Sequence, residues 1–225
     1  MTTLVLIAKE PLAGQTKTRL SPPLSLEQAA ELAAACIDDT VATIRAVAAN
    51  RIVLFYEGIR TPTSASDFDV IFQPKGSLDE RLAYLFDTID GPTILIGMDT
   101  PQVTTLDLAP AFEQWPAEID AWFGPATDGG FWAIGLREPR GELIRGVPMS
   151  RDDTGAIQLD RLVSAGLNVG RLEQLTDVDT IVDARSVAES APDTRFARML
   201  NSFEPAGAAA AAPAAAPAPA KSTGA

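Results

Sequence analysis

The sequence predicts an α/β fold on a mostly parallel sheet. Short apolar, β-branched runs alternate along the chain with longer segments of helical period. Strands separated by helices require right-handed crossovers, which leave the strands parallel and put ligand sites at their carboxyl ends. The bulk composition agrees: 225 residues, 46% hydrophobic and 21% charged, suit one domain of roughly 200 residues with a substantial core.

Strand patterns fall at 3–8, 51–56, 69–73, 93–97, 119–124, 131–136 and 168–172. The first helix, predicted over 26–49, opens with Ser25 and Gln28 as a capping box. It then repeats apolar residues at Leu32, Ala33, Cys36, Ile37, Val41, Ile44 and Val47. Ser77 with Glu80 forms a second capping box ahead of "LDERLAYLFDTI". Further helical patterns cover 105–114, 154–165, where Gly166 ends the helix, and 184–200, broken near Pro192. From Glu204 the chain changes to Ala and Pro with no aromatic or branched residue to build a core. The expected division is therefore a single domain over 1–203 and a disordered tail over 204–225.

Composition also removes functions. The formal charge is −12, with 18 Lys+Arg against 30 Asp+Glu, so a broad basic surface for nucleic acid or anionic lipid is not expected. The chain has no histidine and one cysteine, Cys36, whose position on the apolar face of its helix reads as core packing. Histidine-dependent triads, imidazole zinc sites and cysteine clusters are excluded, leaving acid, base and metal chemistry to Asp, Glu, Lys or Tyr. There is neither a basic segment before the first apolar run nor a stretch of about 18 apolar residues, so no signal peptide or spanning helix is expected, and a cytoplasmic address is. Trp115, Trp122 and Trp132 are scattered, without a stacking pattern.

Against the acidic background, "AKEPLAGQTKTRL" at 8–20 clusters three cations after the first strand. It is not a P-loop, because the glycines required before the lysine and five positions earlier are Thr16 and Pro11. A loop bearing Lys9, Gly14, Lys17 and Arg19 still suits a di- or triphosphate; the other reading is a solvated loop that balances nearby acids. "ILIGMDTP" at 94–101 presents Asp99 at a strand's carboxyl end, as a ligand for Mg²⁺ or Mn²⁺ or as a turn former before Pro101. "GPATDGGFWAIGL" at 124–136 reads as a hairpin, or as glycines Gly129 and Gly130 leaving space for a ligand beside Asp128. In "LTDVDTIVDA", Asp177 and Asp179 are either a cap for the last helical segment or a second carboxylate for a metal on Asp99. In 146–162, Ser150 and Asp153 read as caps and Arg151 as a ligand contact.

Taken in order, K-x-P-x-x-G-x-x-K-T-R-L, G-S-L-D-E-R-L, G-x-D-x-P, G-P-x-x-D-G-G-[FY] and D-V-D-T resemble a family of glycosyltransferase-A-type nucleotide-diphospho-sugar transferases. That family includes radical-SAM/selenodomain-associated transferases and arsenosugar-biosynthesis glycosyltransferases, with phospholactate and molybdopterin guanylyl- or cytidylyltransferases as wider relatives. The resemblance spans about residues 2–200. It implies a Rossmann-like three-layer α/β/α sandwich on a mixed, mostly parallel sheet, with a nucleotide over the carboxyl ends of the N-terminal strands. By position it also implies phosphate or nucleotide contacts at Lys9, Gly14, Lys17, Arg19 and Arg81, and metal ligands Asp99, Asp177 and Asp179. Gly129, Gly130 and Arg151 fall on the acceptor side, and Asp99, Asp128 and Lys17 are the expected catalytic groups. Met149-Ser150-Arg151 departs from the Trp-Ser-Thr-like segment of many relatives.

Three functions follow as expectations. The first is a metal-dependent transferase using Mg²⁺ or Mn²⁺ that moves a sugar from a nucleotide sugar to a small acceptor. The second is a nucleotidyltransferase that joins an NTP to a phosphorylated small molecule and releases pyrophosphate. The third is a nucleotide-binding protein without turnover. None of the three involves nucleic acid or a membrane span.

Overall fold

The computed structural model describes residues 2–112 and 115–203; the Ala/Pro-rich segment over 204–225 lies outside the described residues. Seven strands form one sheet: β1 (Thr3–Lys9), β2 (Arg51–Glu57), β3 (Asp69–Phe72), β4 (Thr93–Gly97), β5 (Ala121–Pro125), β6 (Phe131–Leu136) and β7 (Val169–Arg171). Their spatial order is β3-β2-β1-β4-β6-β5-β7, and β6 alone runs against its neighbours β4 and β5. The helices are α1 (Leu26–Ala46), α2 (Leu78–Thr88), α3 (Thr105–Phe112), α4 (Thr154–Ser164), α5 (Ile181–Ser190) and α6 (Arg195–Phe203). No described helix is long and apolar enough to cross a membrane.

Side chains alternate across the pleat, so each central strand supplies two cores. Leu4 and Leu6 of β1, Leu54 and Tyr56 of β2 and Ile94 and Ile96 of β4 pack with Ala33, Ile37, Val41 and Ile44 of α1. Val5, Val53, Phe55 and Leu95, one residue out of phase, meet Leu82, Leu85 and Phe86 of α2 and Leu162 of α4 on the opposite face. The far side of α1 buries Leu32, Ala35 and Cys36 against Val187 of α5 and Phe196 and Leu200 of α6. The sheet is therefore sandwiched between helical layers, and Cys36 is core, as its position on the helix predicts.

Both predicted capping boxes are present, Ser25 with Gln28 and Ser77 with Glu80. The break expected near Pro192 is present, dividing the segment predicted over 184–200 into two helices. Three expectations are corrected. The first of these two helices begins at Ile181 rather than 184, because Thr180 and Asp183 form a third capping box. Neither Asp177 nor Asp179 caps it. Asp153 occupies the N-cap position of α4 but makes no capping bond; its carboxylate holds Arg151 instead, at 2.8 and 2.7 Å.

Asp128, Gly129 and Gly130 do form a hairpin turn, between β5 and β6. Of its two glycines, Gly129 makes room for the protein's own backbone, whereas a Cβ on Gly130 would meet only the Asp128 carboxylate, at 3.0 Å. Gly129 has φ +88, and a Cβ there would meet the Asp152 carbonyl oxygen at 1.8 Å. Gly155, in the first turn of α4, donates its N–H to the Gly129 carbonyl at 2.8 Å, and a Cβ on Gly155 would lie 2.4 Å from the Gly130 oxygen. The turn is thus laid directly on the start of α4, backbone against backbone.

Gly155→Ala is expected to force that contact apart at a cost of about 1–3 kcal/mol, lowering the melting temperature on the order of 5 °C in a thermal denaturation scan.

Candidate functional site

Four separated segments converge at the carboxyl ends of the strands. β1 delivers Lys9, and the register pairs Lys9 with Glu57 at the end of β2. β4 runs out through Gly97 to Asp99. Because β6 is antiparallel, the β5–β6 turn comes back to this end of the sheet and brings Asp128 with it. The segment after β7 is tied alongside: Leu175 bridges Ala126, and the Val178 N–H donates to the Asp99 carbonyl at 2.9 Å. Asp177 and Asp179 flank that bond.

The space between them consists of two adjoining pockets of about 390 and 630 Å³. Lys9, Met98, Asp99, Asp128, Ser150, Arg151 and Asp179 line both. The smaller has an apolar floor of Ile7, Leu78, Leu82, Leu95 and Phe131, with Glu57, Gln73 and Arg81 as its polar edge. The larger is walled by Gln15, Thr16, Lys17, Thr18 and Arg19 of the first loop and by Thr180 and Asp183.

The polar edge is a fixed network. Gln73 donates to the Ala8 and Phe55 carbonyls at 3.1 and 3.0 Å, which leaves its oxygen to accept from Arg81 at 2.8 Å; the same guanidinium nitrogen meets Glu57 at 2.9 Å. Arg81 Nε is buried without a partner among the described residues. Glu57 and Gln73 were missed in the sequence. Glu57 carried the same signal as Asp99, an acid ending a strand, but its strand carried no motif.

The three clustered cations have different surroundings. The Lys9 ammonium has no hydrogen bond or ion pair among the described residues and lines both pockets. Arg19, 75% exposed, lies 3.3 Å from Asp179. Lys17 is turned inward, its side chain 6% exposed, with its ammonium 2.6 Å from Asp99 Oδ1 and 3.6 Å from Asp179 Oδ1, and it also donates to the Val178 carbonyl. Burial alone would lower the Lys17 pKa, but the charge and hydrogen bond of the adjoining Asp99 carboxylate, with a smaller pull from Asp179, outweigh it and hold the ammonium above its ordinary value. Lys17 reaches this position from a left-handed backbone, φ 54. Gly14 serves the turn before it at φ +74 and lines neither pocket.

The acids crowd one another. Burial, then the charges of Asp99 and Asp128, push the Asp177 carboxyl up to about 7, against a smaller opposing pull from Lys17. Asp128 is held by its own turn, accepting the Gly130 N–H at 2.8 Å. Gly130 lines the smaller pocket; Gly129 lines neither, being pressed on Asp152. Arg151 lines both while its guanidinium is paired with Asp153, and Ser150 beside it has a left-handed backbone at φ 59. As they stand, no three carboxylates among the described residues gather closely enough to hold a metal ion. The chemistry nevertheless fits a divalent cation: Asp99 is occupied only by an ammonium, and Asp177 makes no hydrogen bond or ion pair among the described residues.

The fold is shared with known structures. A protein provisionally called a nucleotide-diphospho-sugar transferase from Desulfovibrio desulfuricans G20 superposes with a TM-score of 0.79 at 21% identity, covering 90% of this chain and 95% of its own. The 2-C-methyl-D-erythritol 4-phosphate cytidylyltransferase of Thermus thermophilus gives 0.52 at 16%, covering 85% and 100%. The inositol-1-phosphate CTP transferase of T. maritima gives 0.52 at 12%, covering 85% and 96%. No curated protein sequence matches the chain significantly. A family model matches residues 34–151, a span that contains Glu57, Gln73, Arg81, Asp99, Asp128 and Arg151. By that match over more than half of its length, the chain belongs to the family described as "Uncharacterized protein conserved in bacteria (DUF2064)".

Proposed function

We propose that this protein is a transferase that binds a nucleotide sugar and passes the sugar to a small acceptor with the aid of Mg²⁺ or Mn²⁺. The observation that carries the reading is the pair of adjoining pockets, with an unpaired lysine and a group of acids where they meet. The smaller, apolar-floored pocket with its Glu57–Gln73–Arg81 edge suits a nucleoside, whose flat base has one hydrogen-bonding rim. The larger one suits a diphosphate and an acceptor.

In this reading Lys9 binds the phosphates, and Arg19 and Lys17 lie within reach on the same loop. Asp99, Asp177 and Asp179 are the groups that would hold the divalent cation, which when bound supplies charge neutralisation for the departing diphosphate. Asp128, fixed by its turn, orients the acceptor hydroxyl and takes its proton; Arg151 and Gly130 line the acceptor's side. A nucleotidyl transfer with release of pyrophosphate is the second reading, favoured by the cytidylyl- and CTP-transferring enzymes that share the fold. A protein that only binds nucleotide would leave the acids without a task.

A thermal-shift panel of NTPs, nucleoside diphosphates and nucleotide sugars, with and without Mg²⁺ or Mn²⁺, tests the reading. A ligand at a hundred times its Kd stabilises by about 2.7 kcal/mol, a shift on the order of 5–10 °C. The metal-dependent part of that shift is expected to vanish in Asp99→Asn, and no response to any nucleotide would overturn the proposal. Release of a nucleoside diphosphate rather than pyrophosphate separates the two transfers. Lys9→Met is expected to weaken nucleotide binding roughly 10- to 100-fold in calorimetric titration, the value of one charge-assisted hydrogen bond.

Asp177 gives a pH signature. Its folded pKa lies above its unfolded one, so between about 4 and 7 the native state binds more protons than the unfolded state, and this group's contribution makes stability fall as pH rises through that window. Metal-free Asp177→Asn should therefore melt higher than wild type at pH 8 and equal to it near pH 4. A constant difference across that range would contradict the crowding of acids.

A further inference from the structure

The Lys17 ammonium occupies a shell made wholly of oxygen: one carboxylate oxygen from Asp99, one from Asp179 and the Val178 carbonyl. Carboxylates plus a main-chain carbonyl are the donors hard divalent cations select. The shell is inside the protein at the lysine's end and open at the other, with Lys17 6% exposed and its two acids 40% and 42%. Asp99 makes no other side-chain hydrogen bond or ion pair among the described residues; its second oxygen is open, but a divalent cation there would stand close beside the ammonium on the first. Two cations on one carboxylate repel each other strongly where water is scarce.

We infer that Lys17 is an exchangeable resident cation: its ammonium and a divalent metal compete for Asp99 and Asp179, and the metal enters as Lys17 turns toward the phosphates of a nucleotide. This rests on reading Asp99 as a metal ligand. The larger pocket is lined by Lys17 itself, so a phosphate bound there is within its range and offers the ammonium a replacement anion. The exchange makes metal and nucleotide mutually reinforcing, since each removes the obstacle to the other, and by linkage the effect is reciprocal. Without nucleotide, the apparent metal affinity is reduced by the fraction of molecules in which Lys17 has let go.

The experiment uses Mn²⁺ alone, titrated by electron paramagnetic resonance into the full-length wild type and Lys17→Met without nucleotide. The variant is expected to bind Mn²⁺ about tenfold more tightly or better, as when the competent state is populated roughly one-tenth of the time in wild type. A second measurement needs no variant. Reductive methylation of wild type, read by peptide mass spectrometry with Lys9 as internal reference, is expected to label Lys17 about tenfold faster in saturating Mn²⁺ than in chelator, by the same population argument. Equal Mn²⁺ affinities, or a Lys17 that stays protected with Mn²⁺ bound, would overturn the exchange and leave a metal site at Asp99 standing. No Mn²⁺ binding to either protein would overturn the exchange together with that metal site. Nucleotide titration without metal reports on the transferase reading independently of all three outcomes. If Lys17→Met does not fold, the labelling of wild type decides.

Discussion

The site depends on one buried ammonium. Lys17 joins the loop after β1 to the end of β4 and to the segment after β7, three stretches distant in sequence that otherwise share few bonds at this point. A lysine taken out of water requires its counter-charges to come with it, and removing one partner of a buried pair typically costs roughly 3–5 kcal/mol. With Asp99 and Asp179 each 40% exposed or more, the cost here lies below that range, yet it suffices to hold the carboxylates facing one another. Acids gathered around one cation are then close enough to raise the proton affinity of Asp177, which that cation does not neutralise.

The fold was legible because its strands are buried on both faces, leaving runs such as Leu4–Ile7 and Ile94–Ile96 that are apolar throughout. The capping boxes at Ser25 and Ser77 marked helix starts for the local reason that their bonds span three residues. Thr180 with Asp183 carried the same signal, hidden by the more conspicuous pair Asp177 and Asp179 next to it. The individual site residues were legible as strand-end acids and loop cations; their pairings were not. Nothing local distinguishes Lys9, with a free ammonium, from Lys17, whose partners lie 82 and 162 residues away. Nor does a Gly-Gly pair state whether a ligand or the chain's own backbone fills the space it leaves. At Gly129 it is the Asp152 carbonyl, a contact settled by how α4 docks.

The distribution of charge follows the same division. Away from the site, opposite charges meet in exposed ion pairs such as Arg45–Asp67 and Arg51–Asp69, each worth about 0–1 kcal/mol. At the strand ends the cations are sorted: Lys9 lines both pockets, Lys17 is turned inward and Arg19 is exposed. Acids outnumber bases in the lining of both pockets, and Lys9 is the cation there that no acid pairs with among the described residues.

The reversed strand β6 has a consequence for how this architecture can vary. A parallel strand at that place in the sheet would need a crossover helix to return the chain, tying any change at the pocket to a change in the helical layer. A hairpin needs only its turn, which here runs from Ala126 to Gly130 and carries Asp128. Side chains on that turn can change without altering the order of the strands, provided Gly129 keeps its close seat on Asp152 and Gly155. Because Asp128 lines both chambers and Gly130 the smaller one, a single short turn can reshape both without a change in the helical layers.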